Sequence, residues 1–163
     1  MGLTNYEKVL EFNLAFGITN ETKPQVDIFT KNKKMLDYRM SLVTEEYNEL
    51  QDAVANNDFV EIIDALSDLE YVCTGFFTAL GINADDAFQI VHSSNLSKLC
   101  KTEEEAIESV VRYKQEVPQR YDTPKYRKAN DNKHYIVYNE STMKILKSYK
   151  YTPANFDELI NKV

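Results

Sequence analysis

Residues Glu45–Asp68 read EEYNELQDAVANNDFVEIIDALSD, and this stretch predicts two helices joined by a short turn. Apolar residues recur at helical spacing on both sides of the Asn-Asn-Asp sequence at 56–58, which interrupts the pattern. Asp58 followed by Glu61 is a capping-box signature for the start of the second helix. Because the connection is so short, we expect the two helices to be antiparallel neighbours.

Both predicted helices carry a stripe of acidic side chains. Three acidic side chains project from one side of the first helix within about one turn: Glu45, Glu46 and Glu49. The second helix places three more at a spacing of i, i+3 and i+7: Glu61, Asp64 and Asp68. At ~100° per residue the second stripe spans only about 60° of arc, with apolar residues beside it, so we expect it to be half buried.

Clustered carboxylates without basic partners repel one another, and burying them is costly unless a cation neutralises them. A hard divalent cation with oxygen ligands fits this need, and Mg²⁺ is the first expectation, with Mn²⁺ as a possible substitute. The alternative is a solvated helix face on which Glu61 only caps its own helix. Residues 40–97 favour the metal site, because they hold eleven acids and no Lys or Arg to pair with them.

A di-iron carboxylate bundle is a competing interpretation. Such a site needs Glu-x-x-His on two helices, but Gln89 stands three residues before His92. His134 follows Asp131 at that spacing, yet it falls in a region predicted to be loop and hairpin. The pattern therefore favours a magnesium site over a di-iron site.

Length and composition restrict the class of protein. The 163 residues fit a single domain, 1–163, with its core at about 33–117 and a C-terminal extension at about 121–163. Cys73 and Cys100 match no zinc or redox motif, so we expect reduced thiols. Without a membrane span or a signal segment, we expect a cytoplasmic protein with no membrane partner. A net charge of −7 argues against stable nucleic-acid binding.

The remaining periodicity predicts an all-α protein: a helix bundle of about five helices, a small C-terminal β-hairpin and a short final helix. The predicted helices are, in order, Thr4 to Gly17, about Lys33 to Ala55, Asp58 to about Leu80, Asn83 to about Leu99, and Thr102 to before Pro118. After a polar loop at Tyr121–Asn132 come the hairpin strands Tyr135–Tyr138 and Lys144–Leu146, then a last helix capped by Thr152.

A magnesium site of this kind keeps coordination positions open for water and phosphate, so basic partners are expected elsewhere. The candidate phosphate ligands are Arg39, Asn95, Lys98, Lys144 and Lys147. Each has an ordinary alternative: Arg39 pairs with a nearby acid, and Lys98 complements the C-terminal end of its helix. Lys144 and Lys147 would point to opposite faces of a regular strand, so at most one of them reaches a given phosphate.

Four motifs together resemble a known superfamily: RxxLxxEExxEL at 39–50, DALSDxxYV at 64–72, VHxSNxSK at 91–98 and KILKS at 144–148. The first two are similar to the all-α nucleoside triphosphate pyrophosphohydrolases, which include MazG-like and phosphoribosyl-ATP pyrophosphohydrolase-like proteins. The last two resemble the phosphoribosyl-ATP pyrophosphohydrolase-like branch. The resemblance extends from about Arg39 to Tyr151.

The resemblance implies Mg²⁺-dependent cleavage of the α–β phosphoanhydride of a nucleotide, yielding a monophosphate and pyrophosphate, in a homodimer or homotetramer. Glu46, Glu49 and Asp68 match that superfamily's metal ligands. The usual second motif is Glu-x-x-Asp, but Ala65 stands where its Glu would be, and Asp64 is the expected substitute. As a hypothesis, Glu45 or Glu49 accepts the proton of the attacking water.

Two other functional classes remain open. One is a regulatory module that binds Mg²⁺ and a nucleotide without turnover. The other is a helical interaction protein whose acidic face docks a basic partner.

Overall fold

The computed structural model describes residues 2–161 and is mainly helical, which confirms the predicted fold class. The helices are α1 Asn5–Ala15, α2 Ile28–Lys31, α3 Lys33–Ala55, α4 Phe59–Leu80, α5 Ala84–Leu96, α6 Glu103–Gln115 and α7 Asp157–Ile160. The strands β1 Pro124–Lys128, β2 Tyr135–Asn139 and β3 Lys144–Ile145 form one antiparallel sheet in the order β1-β2-β3. The chain divides into two compact units: Gln89–Asn155 is the second, and the rest is the first.

The predicted helix starts are confirmed by their capping bonds. The Thr4 hydroxyl accepts from the Glu7 backbone N–H at 3.2 Å, while the Thr4 N–H donates to the Glu7 carboxylate at 2.8 Å. Asp58 accepts from the backbone of Val60 and Glu61 at the start of α4. Each cap satisfies amides that have no partner inside the helix.

In the first unit, α3 and α4 pack along their length as the predicted antiparallel pair. The buried positions of this pair include small residues: Ala53, Ala65, Gly75 and Ala79. Many large apolar side chains of the pair stay at least 49% exposed: Tyr38, Met40, Tyr47, Val54, Phe59, Val60, Ile63 and Leu66.

Gly81 ends α4 in the left-handed region, with φ of 67°. Two turn bonds close the helix there, from the Gly81 amide to the Thr78 carbonyl and from the Ile82 amide to the Phe77 carbonyl. The Lys23 carbonyl oxygen lies 1.9 Å from where a Cβ on this residue would stand. Only glycine allows both the backbone angle and the close passage of the linker before α2.

We predict that Gly81→Ala destabilises the protein by at least about 2 kcal/mol, because it adds left-handed strain and a backbone clash. Gly17→Ala is the matched control: Gly17 also has a positive φ of 68°, but nothing lies within 4 Å of its Cβ position. Gly17→Ala should lower the free energy of unfolding by only about 1 kcal/mol. Urea unfolding followed by circular dichroism measures both, and equal losses would contradict the role assigned to the linker contact.

In the second unit, α6 packs against β1 and β2. The core consists of Cys100, Ala106, Val110, Val137 and Leu146, with half-buried tyrosines around it. Glu105 is only 5% exposed and accepts hydrogen bonds from the Ser148 hydroxyl and the Lys101 backbone N–H. Since a buried carboxylate is stable only when satisfied, these bonds tie the segment after β3 to α6.

The predicted hairpin of β2 and β3 is confirmed, but the polar loop predicted at 121–132 is partly wrong. Residues Pro124–Lys128 form β1, paired with β2 along its whole length. The sequence PKYRK lacks alternating apolar residues, so only the pairing with β2 reveals the strand. The short helix α2 was not predicted either.

Two predicted boundaries are also corrected. Helix α5 ends at Leu96 rather than near Leu99, because the next amides form tight turn bonds and Cys100 pairs with Tyr135. Thr152 does not cap the last helix, which begins at Asp157. Instead the Thr152 amide donates to the Ser97 hydroxyl at 2.9 Å, which ties this segment to the residue that follows α5.

No helix within residues 2–161 is both long enough and apolar enough to cross a membrane.

Candidate functional site

Glu46 is the central member of an acidic cluster on α3 and α4, which we define as Glu45, Glu46, Glu49, Asp64 and Asp68. Burial raises the pKa of Glu46, and the charges of Glu49, Asp68, Glu45 and Asp64 raise it further. These charges come from both helices, so the structure brings the two predicted stripes within electrostatic reach of one carboxyl. In the described residues, no Lys or Arg forms an ion pair with any member of the cluster.

Two buried side-chain atoms within residues 2–161 have no hydrogen-bond partner: Oε2 of Glu46 and Nε of Arg39. They carry opposite charges and lie seven residues apart on one side of α3. Leaving a buried charged group unsatisfied costs more than an ordinary hydrogen bond contributes. The pair therefore provides one position suited to a cation and another suited to an anion.

Arg39 is 7% exposed and lies against the backbone of α4. Its Nη1 atom is 3.0 Å from where a Cβ on Gly75 would stand. Burial lowers the pKa of Arg39, and no carboxylate among the described residues lies within ion-pair distance of it. The alternative expectation, in which Arg39 pairs with a nearby acid, is therefore not seen.

The acidic cluster fits a hard divalent cation by its chemistry, since it offers carboxylate oxygens, including the unpartnered Oε2 of Glu46. The side chains within residues 2–161 do not, however, close around a common point as three or more ligands.

A model of the family described as phosphoribosyl-ATP pyrophosphohydrolase matches residues 9–95. The chain belongs to this family. The match includes Arg39, Gly75 and the whole acidic cluster, and it supports a pyrophosphohydrolase activity at family level. The chain is also 29% identical to an uncharacterized protein of Acanthamoeba polyphaga mimivirus, over 96% of each of the two chains.

Glu61 has weaker structural support as a metal ligand than the other predicted ligands. It lies in the first turn of α4, seven residues before Asp68, and its amide donates to Asp58 at 3.2 Å. Its charge is not among those that raise the pKa of Glu46. Its role as a ligand stays a prediction, with weaker support than that of Asp64 and Asp68.

The other candidate phosphate ligands lie in the second unit. Lys98 donates to the Asn95 amide oxygen at 2.7 Å, so these two are together as expected. The Lys144 ammonium is 5.6 Å from the Tyr121 ring centroid, and that of Lys147 is 4.1 Å from the Tyr151 ring. Strand β3 ends at Ile145, and the two lysines contact different tyrosines. Phosphate binding by all four residues stays a prediction.

Gly75 is the residue at this site that the sequence interpretation missed. A glycine in a helix interior costs about 1 kcal/mol relative to alanine, so its occurrence at a buried position of α4 was a usable signal. It lies seven residues after Asp68 and therefore continues the acidic side of the helix. Its missing side chain leaves the space that the Arg39 guanidinium occupies.

We predict that Glu46→Gln stabilises the metal-free protein at neutral pH. The folded-state pKa of Glu46 is raised, so the ionised carboxyl opposes folding above that pKa, and the penalty disappears as the pH falls below the unfolded value. The gain should therefore be present at pH 7 and absent at pH 3. Thermal melts in a chelator at both pH values measure it.

Asp37→Asn is the control for this prediction, because Asp37 is an exposed acid on the same helix and is paired with Lys33. Its melting temperature should change little, as is usual for a surface pair. A Glu46→Gln protein no more stable than the parent at pH 7 would contradict the burial assigned to this carboxyl.

Proposed function

We propose that the protein is a Mg²⁺-dependent nucleotide pyrophosphohydrolase. The substrate is a nucleoside triphosphate or a phosphoribosyl-ATP-like nucleotide, cleaved at the α–β phosphoanhydride to a monophosphate and pyrophosphate. The observation that carries the proposal is the pair of buried side-chain atoms without a hydrogen-bond partner, Oε2 of Glu46 and Nε of Arg39. A metal-bound phosphate chain supplies a cation to the first and an anion to the second.

In this proposal Glu46, Glu49, Asp64 and Asp68 hold the metal, with Glu61 as a further candidate. Bound Mg²⁺, or Mn²⁺ in its place, would polarise the phosphate and lower the pKa of a bound water. Glu45 or Glu49 then accepts the proton of the attacking water. Both side chains are exposed, as a proton acceptor in contact with solvent must be.

Positive side chains must stabilise the charge that develops on the leaving pyrophosphate. Arg39 is the strongest candidate, because its guanidinium is buried without a carboxylate and can bind phosphate through two parallel bonds. Asn95 and Lys98 are already in contact and can approach one anion together. Lys144 and Lys147 contact different tyrosines, so we propose that at most one of them binds a given phosphate.

We also propose that the active form is a homodimer or homotetramer in the cytoplasm, with no stable nucleic-acid partner. The exposed apolar side chains of α3 and α4 support the assembly, since a monomer rarely leaves so many in water. A symmetric interface would use the same face on both copies.

Glu49→Ala and Asp68→Ala are each expected to lower Mg²⁺-dependent pyrophosphate release at least ~100-fold, because each removes a ligand of the activating metal. Activity is measured over a panel of nucleotides, with circular dichroism to show that helicity persists. Asp37→Ala, an exposed acid of α3 outside the cluster, should keep parental activity. Full activity in both cluster variants would refute this assignment of the site.

Mg²⁺ at a hundred times its dissociation constant should stabilise the parent protein by about 2.7 kcal/mol. Glu46→Gln should lose most of this gain, because a neutral amide binds the ion poorly. Melting temperatures with and without Mg²⁺ test the expectation without any substrate. An equal gain in the parent and the variant would place the ion elsewhere.

Arg39→Met should raise KM for a nucleoside triphosphate by about 10- to 100-fold, the loss expected for one charge-assisted contact of ~1.5–3 kcal/mol. The free energy of unfolding should not fall, because the substitution removes a buried charge that has no carboxylate partner among the described residues. Lys33→Met, an exposed cation of α3, is the control. An unchanged KM would remove Arg39 from the phosphate site.

A regulatory module that binds Mg²⁺ and a nucleotide without turnover is the second candidate. It is favoured by the absence of a closed ligand set within residues 2–161 and by Ala65 at the usual glutamate position. Calorimetry that detects Mg²⁺-linked nucleotide binding, together with chromatography that detects no product, would support this candidate over the enzyme.

A further inference from the structure

Two serines, one in the last turn of α5 and one just after the helix, fasten residues 151–152 to it. The Ser94 hydroxyl lies 2.9 Å from the Thr152 carbonyl oxygen and 3.0 Å from the Tyr151 hydroxyl. The Thr152 amide donates to the Ser97 hydroxyl at 2.9 Å. We call Ser94, Ser97, Tyr151 and Thr152 the serine clasp.

The bonds of Ser94 offset two penalties of its position. A carbonyl oxygen can only accept, so the Ser94 hydroxyl donates to Thr152 and the Tyr151 hydroxyl donates to Ser94. Ser94 is 7% exposed, and a buried hydroxyl without partners would be costly. Serine is also unfavourable within a helix, because its hydroxyl competes for backbone groups. The contacts with residues 151–152 compensate for both effects.

The clasp determines the surroundings of Lys147. The Lys147 ammonium lies 4.1 Å from the centroid of the Tyr151 ring, and the clasp holds the hydroxyl of this ring. The backbone of Lys147 is fixed as well, because the Tyr113 hydroxyl accepts from its amide and donates to its carbonyl oxygen, both at 3.1 Å. The main chain and the ammonium group of this lysine are therefore both held in place.

The Lys147 ammonium has a ring partner but no anionic partner. Contact with an aromatic face attracts an ammonium group without neutralising it. No carboxylate among the described residues lies within ion-pair distance of Lys147. A held but unpaired ammonium is pre-organised for an anion, because little side-chain entropy is lost when the anion binds.

Lys144 has different surroundings, although it is only three residues away. It lines a cavity of about 520 Å³ together with Arg120, Tyr121 and Asp122. No residue of the serine clasp lines this cavity. Because Asp122 already supplies a carboxylate there, the cavity suits a phosphate less well than the surroundings of Lys147 do.

We propose that Lys147 is the lysine of the C-terminal segment that binds a substrate phosphate, and that Ser94 and Ser97 are positioning residues that hold it in place. This inference rests on the proposed function and specifies its phosphate site. Asn95 and Lys98 each follow one of the two serines, so the clasp attaches the segment of Lys147 to the part of the chain that carries both. The family match ends at residue 95, so this segment lies outside it.

Kinetics of single variants test the assignment of the lysine. Lys147→Met should raise KM for a nucleoside triphosphate by about 10-fold or more, the loss expected for one charge-assisted contact, with a smaller effect on kcat. Inorganic pyrophosphate, used as a competitive inhibitor, should lose affinity to the same extent. Lys125→Met is the matched control, because Lys125 is an exposed cation of the same unit and is paired with Glu140. A parental KM for Lys147→Met, or a larger effect of Lys144→Met, would overturn the proposal.

A double-mutant cycle tests the positioning role. Ser97→Ala removes the acceptor of the Thr152 amide and should raise KM several-fold, whereas Ser97→Thr, which keeps a hydroxyl, should restore the parental value. Added to Lys147→Met, Ser97→Ala should have almost no further effect, because both changes act through one ammonium. Effects on KM that simply add would make the clasp a structural contact and remove the positioning role.

Ser93→Ala is the control for the serines, because Ser93 is an exposed serine of α5 whose hydroxyl accepts from Gln89. Its KM should equal that of the parent. Circular dichroism shows whether each variant keeps its helices. If Ser97→Ala does not fold, Tyr151→Phe takes its place in the cycle, because it removes only the hydroxyl that donates to Ser94.

The outcomes separate this inference from the proposed function. If the parent releases no pyrophosphate from any nucleotide, the proposed function fails, and calorimetry with inorganic tripolyphosphate tests the phosphate site directly. The affinity should then fall about 10-fold in Lys147→Met and stay parental in Lys125→Met. No binding by the parent, or equal binding by Lys147→Met, would refute the inference. Pyrophosphate release with a parental KM in Lys147→Met would keep the enzyme and refute the inference alone.

Discussion

Repulsion among the carboxylates of α3 and α4 is the constraint on which the first unit depends. The two helices pack closely through small residues such as Ala53 and Ala65, and this brings acids from both helices into electrostatic range of Glu46. Burial then raises the pKa of Glu46 and leaves its Oε2 atom without a donor. The helix pair is thus built around an uncompensated negative charge, which a cation would relieve.

Arg39 is the positive counterpart of this arrangement, and glycine makes its position possible. A side chain at position 75 would press against the guanidinium, whose Nη1 atom lies 3.0 Å from the Cβ position. Gly75 lowers the intrinsic stability of helix α4. It leaves room for the Arg39 guanidinium beside the acidic side of the helix. The Glu46 carboxylate and the glycine at position 75 both reduce stability, and both lie along one surface. Such a concentration of destabilising features is typical of a binding site.

The second unit differs from the first, because its buried carboxylate, that of Glu105, has hydrogen-bond donors within the chain. Glu105 accepts from Ser148 and from the Lys101 amide, with Lys150 at 3.7 Å. This arrangement fixes the segment that carries Lys147 to α6. The contrast with Glu46 is informative: a carboxylate that serves the fold has its donors within the chain, whereas Glu46 lacks one.

The sequence by itself determined the helical class, the bounds of α3 and α4, the capping residues Thr4 and Asp58, and the residues of the acidic cluster, because periodicity and caps are local properties. It could not reveal β1, whose only support is pairing with β2, or the start of α7, since Thr152 is held by Ser97. Only the tertiary structure decided that Arg39 is buried without a carboxylate partner and that Oε2 of Glu46 has no hydrogen-bond donor. Burial and hydrogen-bond satisfaction depend on neighbours distant in the chain, and no local pattern encodes them.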